Sequence, residues 1–155
     1  MKKKIVLVVA TCAIVLSMVG CTTTKTVTVT DENGNTTTTE TINGQESVFY
    51  EKVPMLISNE LGCDLSEVYM CLSDAEEWGD NFVPEGSLFP ADKTLNGINL
   101  TYSEGDTINV LVYDENGEDL EFEDIDLSPA EGKAFALILE YDEDEESYFA
   151  YVEQQ

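Results

Sequence analysis

The chain has 155 residues, one domain's worth with room for a processed end, and a formal net charge of −25 with no histidine. Lysine supplies every basic side chain, because arginine is absent. Nucleic-acid phosphates repel such a body, no bidentate phosphate clamp can be built, and the commonest acid–base residue and transition-metal ligand is missing.

Lys2, Lys3 and Lys4 precede residues 5–20, IVLVVATCAIVLSMVG, which carry no charge. That run is short for a membrane span, which needs about 20 residues, but it suits an export signal. An uncleaved signal anchor is the alternative. At the end of the run Met18-Val19-Gly20-Cys21 resembles the lipobox of bacterial lipoproteins, with Met18 in place of the commoner Leu. The resemblance implies that residues 1–20 are a lipoprotein signal peptide and that the Cys21 thiol accepts the lipid, Gly20 leaving room for the peptidase. It further implies a mature protein held on the extracytoplasmic face of the cell membrane through the lipid on Cys21. Two or three acyl chains make such an anchor durable. ATP and NAD are not met there, so no cofactor is expected. Loss of the three lysines takes the net charge from −25 to −28.

Residues 22–46, TTTKTVTVTDENGNTTTTETINGQE, are threonine-rich and nearly free of bulky apolar side chains. Two Thr runs flank Asn33-Gly34, the chemistry of a hairpin turn. With nothing to bury, residues 21–46 are expected to be a flexible linker. As a coil of about 25 residues it spans roughly 25–30 Å, farther than the Debye length of about 8 Å. It would hold an anionic domain clear of an anionic surface.

From Ser47 the pattern changes to period two. VPMLISN (53–59), EVYMCLS (67–73), INLTY (98–102), DTINVLVYD (106–114), DLEFEDIDL (119–127), KAFALILEYD (133–142) and SYFAYVE (147–153) read as strands, rich in β-branched and aromatic residues. Asn116-Gly117 marks a tight hairpin between the fourth and fifth, and Asp142–Glu146 a second between the last two. A turn or two of helix is expected at Ser73-Asp74-Ala75-Glu76-Glu77-Trp78. The expected fold is all-β: one antiparallel β-sandwich of about seven strands over residues 47–155, a monomer.

The stretches ISNELG (57–62), VYMCLSDAEEWGDNF (68–82) and LVYDENGEDLEFEDIDLS (111–128) resemble a small secreted bacterial β-sandwich domain with a Trp-Gly turn. Cys71 stands where that family has Ser, and Glu60-Leu61 replaces its turn Thr. The resemblance implies a fold and carries no activity.

Discarding Cys12 with the signal and Cys21 to the lipid leaves Cys63 and Cys71. An extracytoplasmic pair invites a disulfide. An extended strand over 65–71, however, parts the two by roughly 20 Å, where a bridge needs about 7 Å or less between Cα atoms. Free thiols are expected, with the disulfide as alternative.

The only Trp lies in Trp78-Gly79-Asp80. Its indole either caps one end of the sandwich, Gly79 permitting the turn, or serves with Asp80 as an exposed glycan-stacking platform. The acidic hairpin 114–126 raises a calcium reading. Asp114-Glu115-Asn116-Gly117-Glu118-Asp119 fails the EF-hand template, its Gly being fourth rather than sixth, which leaves a looser site on Asp124 and Asp126. No metal ligand set is assigned. Crowded carboxylates at 114–126 and 142–146 are expected to raise one another's pKa. Without His to activate a Ser, Cys or Lys, no enzyme activity is expected. The leading reading is a non-catalytic lipoprotein whose sandwich binds a protein or cell-wall partner or serves as a structural module. The alternative is a calcium- or glycan-binding module.

Overall fold

The structure, a computed structural model, describes Ser17–Met18, Thr23–Thr30, Thr36–Ile42 and residues 45–155. Its strands are β1 (Ser17–Met18), β2 (Thr23–Thr30), β3 (Thr36–Ile42), β4 (Gln45–Glu60), β5 (Leu65–Leu72), β6 (Lys93–Ser103), β7 (Thr107–Asp114), β8 (Asp119–Asp126), β9 (Phe135–Asp142) and β10 (Ser147–Gln154). Two sheets form an all-β, sandwich-like fold. The larger runs β1-β2-β3-β4-β9-β10 with β6 also on β4, and the smaller runs β5-β7-β8. Every strand expected from residue 53 onward is present.

The sandwich follows from alternation. β7 buries Ile108, Val110 and Val112, and β5 buries Leu65, Val68 and Met70. Facing them are Val53, Met55 and Ile57 of β4 and Phe135, Leu137 and Leu139 of β9. β9, with β4 on one edge and β10 on the other, is buried at every position from Phe135 to Leu139. Pairing is antiparallel except between β4 and β9, which run parallel from Met55↔Phe135 to Glu60↔Glu140. A parallel pair needs a long crossover. Here β5, β7 and β8 supply it by passing through the other sheet.

β4 is long enough to serve two neighbourhoods. Gln45–Glu51 pairs with β3, Met55–Glu60 pairs with β9, and β6 occupies the opposite edge from Phe49 to Asn59. The register slips between Tyr50 and Val53, where Lys52 adopts a φ of 56°. Such a bulge turns the strand from one neighbourhood into the other.

Three expectations are corrected. The threonine-rich tract is not a tether where it is described: β2 pairs with β3 from Thr24↔Ile42 to Thr30↔Thr36, and β3 pairs with β4. β-branched side chains favour the extended backbone, and the edge of β4 supplies the pairing template. Cross-strand hydroxyls add contacts at Thr28–Thr38 (3.3 Å) and Thr30–Thr36 (3.2 Å). The boundary placed at Ser47 therefore falls inside β4. No helix forms at 73–78, where turns run from the end of β5. One 3₁₀ turn occurs instead at Ser128–Ala130, started by Pro129. The hairpin expected at Asn116-Gly117 is present, joining β7 to β8. Gly117 N donates to Asp114 O, Asp114 N donates to Glu118 O, and only Gly117 has a positive φ, at 82°. That is a type I turn closed by a glycine bulge.

Ser17–Met18 pairs with Thr23–Thr24. Residues 1–16, Val19, Gly20 and Cys21 lie outside the described residues, as do Asn33-Gly34 and Asn43-Gly44.

Candidate functional site

β5 would be an open edge of the small sheet, and the segment after it covers that edge. Phe82 N donates to Val68 O, Leu65 N to Phe89 O, and Phe89 N to Leu65 O, at 2.9, 2.9 and 2.8 Å. Asn81 extends the pairing with its side chain: its Oδ1 accepts from Val68 N and Val83 N at 3.0 and 2.9 Å. Covered edges do not recruit foreign strands.

The same docking positions Trp78. Gly79 N donates to Met70 O at 3.1 Å, and a Cβ on Gly79 would stand 2.7 Å from that oxygen. Gly79 is therefore required for close approach, and its φ is not positive. The indole beside it does not cap the end of the core. It lies 37% exposed and lines a shallow cavity of about 220 Å³ with Glu67, Tyr69, Leu111 and Tyr113, residues of β5 and β7.

Alternation explains the company. Glu67 and Tyr69 flank buried Val68, and Leu111 and Tyr113 flank buried Val112, so all four share the outer face. Register then sets Glu67 opposite Tyr113 and Tyr69 opposite Leu111. On the far side, Asp119 stands opposite Tyr113 and Glu121 opposite Leu111. The Tyr69 and Tyr113 rings meet edge to face, centroids 6.4 Å apart and planes at 87°. Tyr69 Oη donates to Glu67 Oε2 at 2.6 Å. That hydrogen bond, then burial and the Glu67 charge, push the Tyr69 phenol up, so it stays a neutral donor at physiological pH.

Trp78 is thus gathered into a site, and Asp80 is not: Asp80 is exposed and lies outside the cavity lining. Glu67, Tyr69, Leu111 and Tyr113 were missed by sequence reasoning. Their period-two alternation on strands already recognised was the available signal, but only register joins them to Trp78.

The acidic hairpin is engaged in its own turns. Asp114 Oδ1 accepts from Asn116 N and Glu118 N, both at 2.8 Å, and Oδ2 from Asn116 Nδ2 at 3.0 Å. Asp126 accepts from Ser128 N at 2.8 Å and Ser128 Oγ at 2.6 Å. The Asn116 side chain, then the Glu118 amide, hold the Asp114 carboxyl below its usual range, and Ser128 does the same for Asp126. At Asp114 and Asp126 these directions are opposite to the expected mutual raising, because donated hydrogen bonds favour the charged form. Among the described residues, no group of three His, Cys, Asp or Glu side chains is placed to hold a metal ion.

Cys63 and Cys71 are free thiols. Burial, then the Asp114, Asp64 and Glu115 charges, push the Cys63 thiol up, and burial and Glu121 do so for Cys71. Both are disfavoured as thiolates, the reactive form. A cavity of about 580 Å³ lies along residues 81–88, lined chiefly by loop residues such as Pro84, Gly86 and Ser87. It shares Glu67 with the aromatic site but contains no aromatic ring.

Comparison with family models, with curated proteins and with solved structures finds no match to this chain.

Proposed function

We propose that the chain is an extracytoplasmic lipoprotein, anchored to the cell membrane through lipid on Cys21, whose acidic sandwich is a non-catalytic binding module. One observation carries the binding role: Trp78, Tyr69 and Tyr113 line one cavity with Glu67 on an uncovered sheet face. Exposed aromatic side chains beside a few polar groups are the usual makings of a recognition surface. The sequence supports the anchor through Lys2–Lys4, the uncharged run and Met18-Val19-Gly20-Cys21. The threonine ribbon suits the address, since the eight residues of β2 span roughly 26 Å, well beyond the Debye length. Catalysis is disfavoured by the absence of histidine and by two thiols held protonated.

A second reading, that the Trp78 face binds a neutral glycan, is favoured by the exposed indole with a carboxylate acceptor beside it. The calcium reading is weakened because Asp114 and Asp126 already satisfy backbone and side-chain donors.

Membrane fractionation and fatty-acid labelling of the full chain in a bacterial host test the anchor. Wild type should incorporate label and sediment with membranes. The Cys21→Ala variant should lose the label and leave the membrane, with its β-type circular dichroism intact. A variant that stays membrane-bound as tightly as wild type would make residues 5–20 a signal anchor instead.

A further inference from the structure

We infer that Glu67, Tyr69, Trp78, Leu111 and Tyr113 form a cage for a small organic cation, a quaternary ammonium group of the trimethylammonium type. The inference rests on the binding role proposed for this face and names its ligand class.

The geometry separates this ligand from a flat sugar. A pyranose stacks on a broad aromatic plane, but Tyr69 and Tyr113 stand at 87° to each other and make a corner. Trp78 lines the same cavity as a third aromatic side chain, and Leu111 adds an apolar one. The face of an aromatic ring carries negative potential, and a cation within about 6 Å of its centroid is attracted. Rings converging from different directions suit a rounded cation better than a planar ligand. Trimethylammonium presents methyl groups on every side and has no N–H donor to satisfy, which such walls can cover.

Charge selects in the same direction. The lining holds one ionisable carboxylate, Glu67, and no basic residue. Its orientation is set by the 2.6 Å hydrogen bond from Tyr69 Oη. Asp119 and Glu121, opposite Tyr113 and Leu111, extend the negative field beyond the cavity. An anionic ligand meets repulsion from all three, and a chain of net charge −25 draws cations toward its surface. Quaternary ammonium occurs both as a free metabolite or polymer substituent and as a phospholipid head group. The phosphate of the lipid form would lie close to these carboxylates, so the free or polymer-borne group is the better fit.

The single Trp of the chain makes its fluorescence a probe of this site. The full chain, in non-ionic detergent at constant ionic strength, is titrated with choline chloride, with the uncharged tert-butyl isostere of choline, with phosphatidylcholine vesicles and with a neutral oligoglucan. Choline should give a saturable change in Trp78 emission, with the isostere and the vesicles at least about tenfold weaker. Glu67→Gln should weaken choline by about tenfold while leaving the melting temperature unchanged, and Tyr113→Leu should weaken it similarly with circular dichroism confirming the fold. A choline response no different from sodium chloride, or matched by the isostere, overturns the cage. If the oligoglucan saturates the signal and choline does not, the cage falls while the binding face stands. If no ligand shifts Trp78, both fall, and fractionation still judges the anchor separately.

Discussion

The threonine ribbon and the sandwich are built from the same element and held by different forces. β2 and β3 are as continuously paired as β9 and β10, yet none of Thr26–Thr30 and Thr36–Ile42 is buried. β9 buries five residues in succession. β4 belongs to both: Gln45–Lys52 contains no buried residue, whereas Val53, Met55, Ile57 and Asn59 are all buried. Strand geometry needs only a suitable backbone preference and a neighbouring edge. Stability needs apolar surface removed from water, at about 25 cal/mol per Å². The ribbon meets the first condition and the sandwich meets both.

The largest effect should come from emptying the core. Phe135 is fully buried and meets Tyr102 edge to face at 6.4 Å. Phe135→Ala should cost about 3–5 kcal/mol, measured by denaturant unfolding. A loss near that of a surface substitution would erase the distinction between the two regions.

Titration should act next. Asp114 and Asp126 have folded pKa values below the ordinary 3.8, so they favour the fold above that value. That contribution is lost as pH falls from about 3.8 through the lower folded values. Tyr151, pushed up to about 12 by burial and by its hydrogen bond to Glu140, works in the opposite sense. The fold then binds more protons than the unfolded chain does. Its contribution is fully present below pH 10 and lost as pH climbs toward about 12. Thermal melts across pH should decline at both extremes, and the ultraviolet absorbance of tyrosinate should report a late-titrating phenol. Stability that rises as pH drops below 3.8 would restore the expectation of mutually raised carboxylates.

The smallest effect belongs to the ribbon. Thr28→Ala removes one part-buried hydroxyl contact at 3.3 Å and should change stability by no more than about 0.5 kcal/mol. In hydrogen exchange, the amides of β2 should exchange early and those of Ile57 and Leu137 last. Slow exchange in β2 would mean that the ribbon is stabilised by more than its own pairing.

Much of this was readable locally. Val53, Met55 and Ile57, or Ile108, Val110 and Val112, declare a strand and its inward face by alternation alone, and Cys63 and Cys71 declare their separation by the strand between them. The ribbon is not legible in the same way, because its scarcity of apolar residues points to a coil while the N-terminal half of β4 supplies a pairing template that lies outside the tract's own pattern. The helical turn at 73–78 gave way to a segment committed to the edge of β5. Asn59 reads as an ordinary strand residue, yet it is fully buried. Its Nδ2 donates to Cys63 O and Phe89 O, and its Oδ1 accepts from Leu61 N, joining two loops distant in sequence.

The sequence by itself determined where the strands from residue 53 onward lie, which of their side chains turn inward, and that an acidic chain without His or Arg has few chemistries open to it. Those properties depend on residues a few positions apart and on total charge. Tertiary structure alone decided that β4 and β9 run parallel, that residues 79–89 close the edge of β5, and that Trp78 lines one cavity with Tyr69, Tyr113 and Glu67. Each depends on backbone hydrogen bonds between segments far apart in the chain, and local preference does not encode the register in which distant strands meet.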